Sequence, residues 1–206
     1  MNYPSVRGPA GPDTDRSEAR RQQILAAAAA CVRRHGFHGA SMAVISKTAG
    51  MSVGHIYHYF ENKEAIIAAI VHQDVEDLLT LFEEIGQSDD ILDAMIGRAD
   101  HGFHCHIDPD FAALALEIAA EAARNPKVAA IVQAADQTKR QAVIHLLRKG
   151  LAARGRPTTD AELETRLDGI AAMFDGFSMR IVRNPSLDRE AALLTVRRMM
   201  QFLFDI

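Results

Sequence analysis

The chain has 206 residues, 48% hydrophobic and 24% charged, a composition ordinary for a globular protein long enough to bury a core in one or two domains. The net charge is −4, yet residues 1–65 carry a balance of +3 with His35, His38, His55 and His58 in addition, and the remainder a balance of −7. No apolar run reaches the roughly 18 residues that span a bilayer, so no membrane partner is expected. A basic end on an acidic body suits a head that meets phosphates.

The stretch from Met1 to Asp15 holds Pro4, Pro9, Pro12 and Asp13 without an apolar segment. It reads as a flexible leader over 1–15, neither signal peptide nor anchor, and a cytoplasmic location is expected. Arg7 and Arg16 are basic residues of the kind that reach a minor groove, although an untethered tail is the ordinary reading. A first helix is predicted from Ser17 to His35, ending at Gly36, with Ile24, Leu25, Ala28, Cys31 and Val32 as its apolar stripe. A short helix follows from Met42 to Thr48, capped by Ser41 and broken at Gly50. Ser52 caps another that ends near Phe60, and Asn62 caps a long helix reaching about Ile85. Further helices are predicted over Asp89–His104, Pro109–Arg124, Pro126–Ala153, Asp160–Val182 and Asp188–Phe204, separated by Gly, Pro and Asn breaks. The fold class is therefore all-α, with a head over 16–65 and a helical body over 66–206.

Residues 41–60 are the informative stretch. Two short helices meet at Ala49-Gly50-Met51, where Ala49 permits a close crossing and Gly50 a sharp turn. Ile45 and Ile56 point inward and leave Val53, Gly54, His55, Tyr57, His58 and Tyr59 to an outer surface. Such a helix fits a major groove about 12 Å wide.

These residues resemble the DNA-binding segment of the tetracycline-repressor (TetR) family. The likeness is carried by Ile24-Leu25, Ala27-Ala28, Gly36-Phe37, Ala49-Gly50-Met51-Ser52, Ile56-Tyr57-His58-Tyr59-Phe60 and Asn62-Lys63-Glu64, and covers residues 20–66 without a gap. The resemblance implies a helix-turn-helix head and a ligand-binding, dimerising body. It implies phosphate contacts from Ser41, Tyr57, Tyr59 and Lys63, with Val53, Gly54, His55 and His58 nearest the base edges; Ser52, which caps that helix, is counted among the DNA-binding residues as well. The chain departs from the family pattern at Val32, Ser46 and Met51, where Phe, Ala and Val are usual. His55 and Val53 stand where Thr and a polar residue are common, so base preference does not transfer. Taken singly, Tyr57 and Phe60 are more often core aromatics and Lys63 a solvated lysine, and His55 and His58 divide between solvated histidines and DNA contacts; within the motif Phe60 stays core and Tyr57 is assigned to phosphate.

In the body, Phe111, Leu114, Ala115, Ile118 and Ala122 share one helix face, flanked by Glu117 and Glu121. A carboxylate beside an apolar cavity suits a cationic or hydrogen-bonding inducer, whereas a solvated Glu pair is the plainer reading. Met95, Phe103, Phe111, Leu114, Glu117, Met173, Phe174 and Phe177 are candidates for the lining of a ligand pocket, by the family resemblance. The cluster His101, His104, Cys105, His106 and Asp108 raises the alternative of a metal- or haem-sensing regulator, but its spacing suits a histidine-rich helix end better than a metal site. No cofactor is assigned.

The last two helices carry the stripes Leu163, Leu167, Ile170, Phe174, Phe177, Ile181 and Leu193, Val196, Met200, Leu203. These are read as a homodimer seam, with the subunit's own core as the competing reading. No nucleophile elbow, phosphate-cradling glycine loop or paired acid–base motif is present, so no enzyme is expected. The expected function is a dimeric repressor on a palindromic double-stranded DNA operator, released by a small-molecule inducer.

Overall fold

The computed structural model describes residues 12–156 and 158–204. Arg7 and most of the predicted leader lie outside the described residues. Among those described, all regular structure is helical. The elements are α1 (Pro12–Gly39), α2 (Met42–Ala49), α3 (Val53–Tyr59), α4 (Lys63–Gly86), α5 (Ile91–Gly97), α6 (Ala99–Ile107), α7 (Pro109–Ala122), α8 (Pro126–Ala153), α9 (Asp160–Arg183) and α10 (Arg189–Phe204). The chain divides into two compact units that meet between Ala69 and Ile70, within α4; the sequence reading placed the division at 65/66.

In the first unit, α1 starts at Pro12, five residues before the expected Ser17. Its regular path stops at Gly36, whose φ of 70° only glycine adopts without strain. The stripe Ile24, Leu25, Ala28, Cys31 and Val32 is buried, together with Phe37, Ala40, Ile45, Ala49, Ile56 and Phe60. Thus α1 supplies the floor on which α2 packs, and α2 in turn carries α3.

In the second unit, α9 packs against α6, α7, α8 and α10. Buried residues from α5, α6, α8, α9 and α10 form one apolar core around Leu92, Phe103, Leu147, Leu163, Val196 and Phe204. The single helix expected over Asp89–His104 is two helices. Asp90 caps α5 by accepting the Asp93 N–H at 3.1 Å, and the backbone bends at Arg98 (φ −93°, ψ 5°), just after Gly97. The bend lets α5 bury Ile91, Leu92, Met95 and Ile96 while α6 buries Ala99, Phe103 and Ile107. The Arg154 guanidinium at the end of α8 clips this start, donating to Asp90 at 2.7 Å and to Asp93 at 2.8 Å.

Helix α9 opens on a capping box in which Thr159 and Glu162 satisfy each other's backbone N–H groups. The Thr159 N–H and the hydroxyls of Thr158 and Thr159 hold the Glu162 carboxyl at about 2, well below its usual range.

The stripes assigned to the dimer seam turn inward. Leu163, Leu167, Ile170, Ile181, Val196 and Met200 are buried in the subunit's own core, and Phe174, Phe177, Leu193 and Leu203 pack against it. Periodicity identified a shared face, and that face meets its own bundle.

Close packing of α5 on α8 depends on Gly150. A Cβ there would stand 2.8 Å from Leu92 Cδ2 and 2.9 Å from Leu92 Cγ, and Leu92 is fully buried and has no room to yield. Gly150→Ala is expected to destabilise the body by about 1–3 kcal/mol through overpacking. Gly97→Ala, whose Cβ would meet nothing within 4 Å, is the matched control. Thermal unfolding of the two variants checks this: equal melting temperatures would contradict it.

Candidate nucleic-acid interface

Both short helices of the first unit are capped from within. Ser41 Oγ accepts the Val44 N–H at 3.3 Å and Ser52 Oγ accepts the His55 N–H at 3.2 Å. Each hydroxyl proton is thereby left to donate outward. Gly50 makes the turn between the helices at φ 65°, ψ 31°, a left-handed conformation that favours glycine. Gln23 of α1 ties this turn down by donating to the Ala49 carbonyl at 2.7 Å. Thr48 donates to the Val44 carbonyl at 3.0 Å and accepts the Cys31 thiol at 3.2 Å. The first helix therefore anchors α2 through polar bonds as well as through its apolar stripe.

On α3 the division of faces is sharp. Ile56 has no exposure and locks the helix to the core, whereas Tyr57 is 51% and Val53 36% exposed. Ser52, Gly54, His55 and His58 are exposed beside them. Tyr59 is half-buried, and its ring meets the edges of His55 and His58, each at 5.4 Å between centroids. It orients both histidines, a role that spacing alone did not suggest. Phe60 is buried, with the Arg21 guanidinium 5.5 Å from its ring centre. Ser41 is exposed at the start of α2. Lys47, also exposed on α2, adds a cation that the sequence reading left out, although a lysine inside the motif was the available signal.

Lys63 behaves differently from a solvated lysine. Its ammonium donates to the Phe37 carbonyl and lies 3.9 Å from the centre of the Phe37 ring. Its charge thus braces the turn after Gly36. Asn62 Oδ1 accepts the Ala65 N–H at 2.8 Å and so starts α4, as its position predicts.

The candidate ligand residues spread over several environments. Phe103 and Met95 are buried in the core of the second unit, and Met173, Phe174 and Phe177 pack at its margin. Phe103 and Phe177 meet edge to face at 4.9 Å. Phe111, Leu114 and Glu117 are half-buried along α7. Glu121, read as flanking the apolar face, is only 1% exposed. Its carboxylate is met by Arg124 Nε at 3.2 Å and Asn125 Nδ2 at 3.0 Å. A hollow of about 260 Å³ lies instead at the end of α4, lined by Glu84, Ile85, Ser88, Ala94, Gly97 and Arg98. None of the candidate ligand residues borders it.

The histidine cluster is not drawn together. His106 Nδ1–H donates to the Gly102 carbonyl at 2.8 Å, and its ring lies 5.2 Å from Phe111 and 5.4 Å from Phe174. Burial, then the charges of Asp74, Asp108 and Asp77, pushes the Cys105 thiol up and disfavours a thiolate ligand. Among the described residues no group of three or more His, Cys, Asp or Glu is arranged to hold a metal ion. Nor is any helix among them long and apolar enough to cross a membrane.

Known proteins match both units. Residues 24–70 match the family described as bacterial regulatory proteins, tetR family, and residues 106–205 match the C-terminal region of BetI-type transcriptional repressors. The transcriptional regulator UidR of Escherichia coli K12 is 40% identical over 113 residues, which are 55% of this chain and 57% of UidR. The chain thus spans little more than half the length of that relative. The transcriptional repressor AcnR of Corynebacterium efficiens is 27% identical over 82% of this chain and 85% of its own. The solved structure of Salmonella enterica GusR superposes with a TM-score of 0.74 at 29% identity, covering 91% of this chain and 96% of GusR. With a capped helix-turn-helix in the first unit, a helical bundle in the second and family matches to both, the chain belongs to the TetR family of bacterial regulatory proteins.

Proposed function

We propose that the protein binds a palindromic operator as a homodimer and releases it on taking up a small-molecule inducer. The observation that carries the DNA half is the outer face of α3. Val53, Gly54, His55, Tyr57 and His58 are exposed on a helix held by a fully buried Ile56. In this reading Tyr57 and the hydroxyls of Ser41 and Ser52 meet phosphates, and Lys63 adds charge at the start of α4. Tyr59 supports the histidines that approach the base edges.

The dimer is supported by apolar side chains on α9 and α10 that the subunit leaves uncovered. Phe202 is 80% exposed, and Met179, Val182, Leu194 and Met199 are exposed as well. A second copy covering them by a two-fold axis makes a four-helix seam and places two recognition helices in successive major grooves. In this reading the inducer is taken up by the body, at the half-buried α7 residues Phe111, Leu114 and Glu117. Its uptake favours a form of the dimer whose recognition helices no longer match the groove spacing. In this reading the protein acts in the cytoplasm, beside the DNA that it binds.

The test uses the full-length protein and a duplex enriched by it from a random library. Fluorescence anisotropy is expected to show affinity falling steeply with salt, the signature of phosphate contacts. Tyr57→Ala is expected to weaken binding about tenfold with the melting temperature unchanged, as for the loss of a solvent-exposed hydrogen bond of about 0.7 kcal/mol at each of two half-sites. A Tyr57→Ala protein that binds as tightly as the parent would remove α3 from the interface. Tyr57 is the better probe than Lys63, because removing the lysine also unbraces Phe37.

A further inference from the structure

Two adjacent positions on α3 hold residues for which the fold has no use. Val53 is the first residue of the helix, and its side chain is exposed while Ile56 alone is buried on α3. A β-branched residue also forms helix less readily than most alternatives. Gly54 follows inside the helix. Its φ is not positive, unlike those of Gly36, Gly50 and Gly155 among the described residues. A Cβ added at Gly54 would meet nothing within 4 Å. Neither backbone strain nor close packing within the chain therefore calls for glycine, and it costs helix stability relative to alanine.

Together they leave two valine methyls beside a stretch of bare backbone. This notch has no side-chain donor or acceptor, so it is matched neither to a phosphate nor to a base edge read by hydrogen bonds. It is matched to a small apolar group that approaches closely. In the major groove the apolar group on display is the methyl at C5 of a pyrimidine. We infer that Val53 and Gly54 form a reader for a pyrimidine C5-methyl group in each half-site, carried by thymine or by 5-methylcytosine. This rests on the reading of α3 as the helix that enters the groove.

The test again starts from a duplex enriched from a random library by the full-length protein. Each thymine is replaced in turn by uracil, which lacks only the methyl. One thymine per half-site is expected to lose about fourfold in affinity on this change, the effect of uncovering one methyl-sized group. Val53→Ala is expected to bind the thymine and uracil duplexes alike. Cytosine and 5-methylcytosine placed at the same position separate the two sources of the methyl. A uracil penalty assigns thymine, and a gain seen only with 5-methylcytosine assigns the methylated base. Gly54→Ala adds a methyl into open space, so its melting temperature should equal or exceed the parent's while its affinity falls at least threefold. The inference is overturned if the duplex binds with no methyl sensitivity at any pyrimidine, if Val53→Ala keeps the full uracil penalty, or if Gly54→Ala binds undiminished. A library that yields no enriched duplex removes the DNA reading itself, which is a different result.

Discussion

Phe202→Glu is expected to leave a folded monomer that holds its operator at least about a hundredfold more weakly than the parent, because two half-sites are then no longer engaged together. Phe202 is 80% exposed on α10 and makes no part of the subunit's core. The substitution therefore spares the bundle, while a carboxylate at the centre of an apolar seam meets its symmetry mate. Analytical ultracentrifugation and anisotropy check the two halves separately. A variant that stays dimeric would move the seam away from α10. A monomer that binds DNA as tightly as the parent would show that one head suffices. Arg198→Glu, nearby and exposed on the same helix, reports whether charge alone accounts for any loss.

Ile56→Ala is expected to cost the first unit about 2–5 kcal/mol, the usual range for emptying a fully buried aliphatic site. Ile56 has no exposure and is the sole buried residue of α3. Its loss loosens α3 from the buried core of the first unit. The expected signature is an early thermal transition together with weakened DNA binding. Tyr57→Ala, one position along, should weaken DNA binding with no such transition. If Ile56→Ala melts like the parent, the inward and outward faces of α3 have been exchanged.

Where local chemistry decides the structure, the sequence was readable. Ser41, Ser52 and Asn62 accept backbone N–H groups at the three helix starts where they were expected. Gly36 and Gly50 occupy the positive-φ positions that end the helices before them. These signals need only the residues beside them. The bend at Arg98 was hidden because Leu92, Ile96, Ala99, Phe103 and Ile107 keep helical spacing across it; Gly97 was the one hint. The facing of α9 and α10 was hidden for another reason. A periodic stripe tells which residues share a face and is silent on which body covers it, so core residues such as Leu167 and Val196 looked like a seam. The outward set of Met179, Val182, Leu194, Met199 and Phe202 breaks that period and was passed over. The placing of the Lys63 ammonium against Phe37 brings together residues 26 apart in the chain, and that of Glu121 depends on burial; neither leaves a mark in the pattern.

The most direct measurement is a photo-crosslink from a benzophenone-bearing phenylalanine analogue placed at position 57 of the full-length protein, bound to its enriched duplex. The account predicts a crosslink to a base or sugar within each half-site, and none when the analogue stands at Ser88, an exposed site of the second unit. A protein that binds the duplex but crosslinks from position 88 and never from 57 would contradict it.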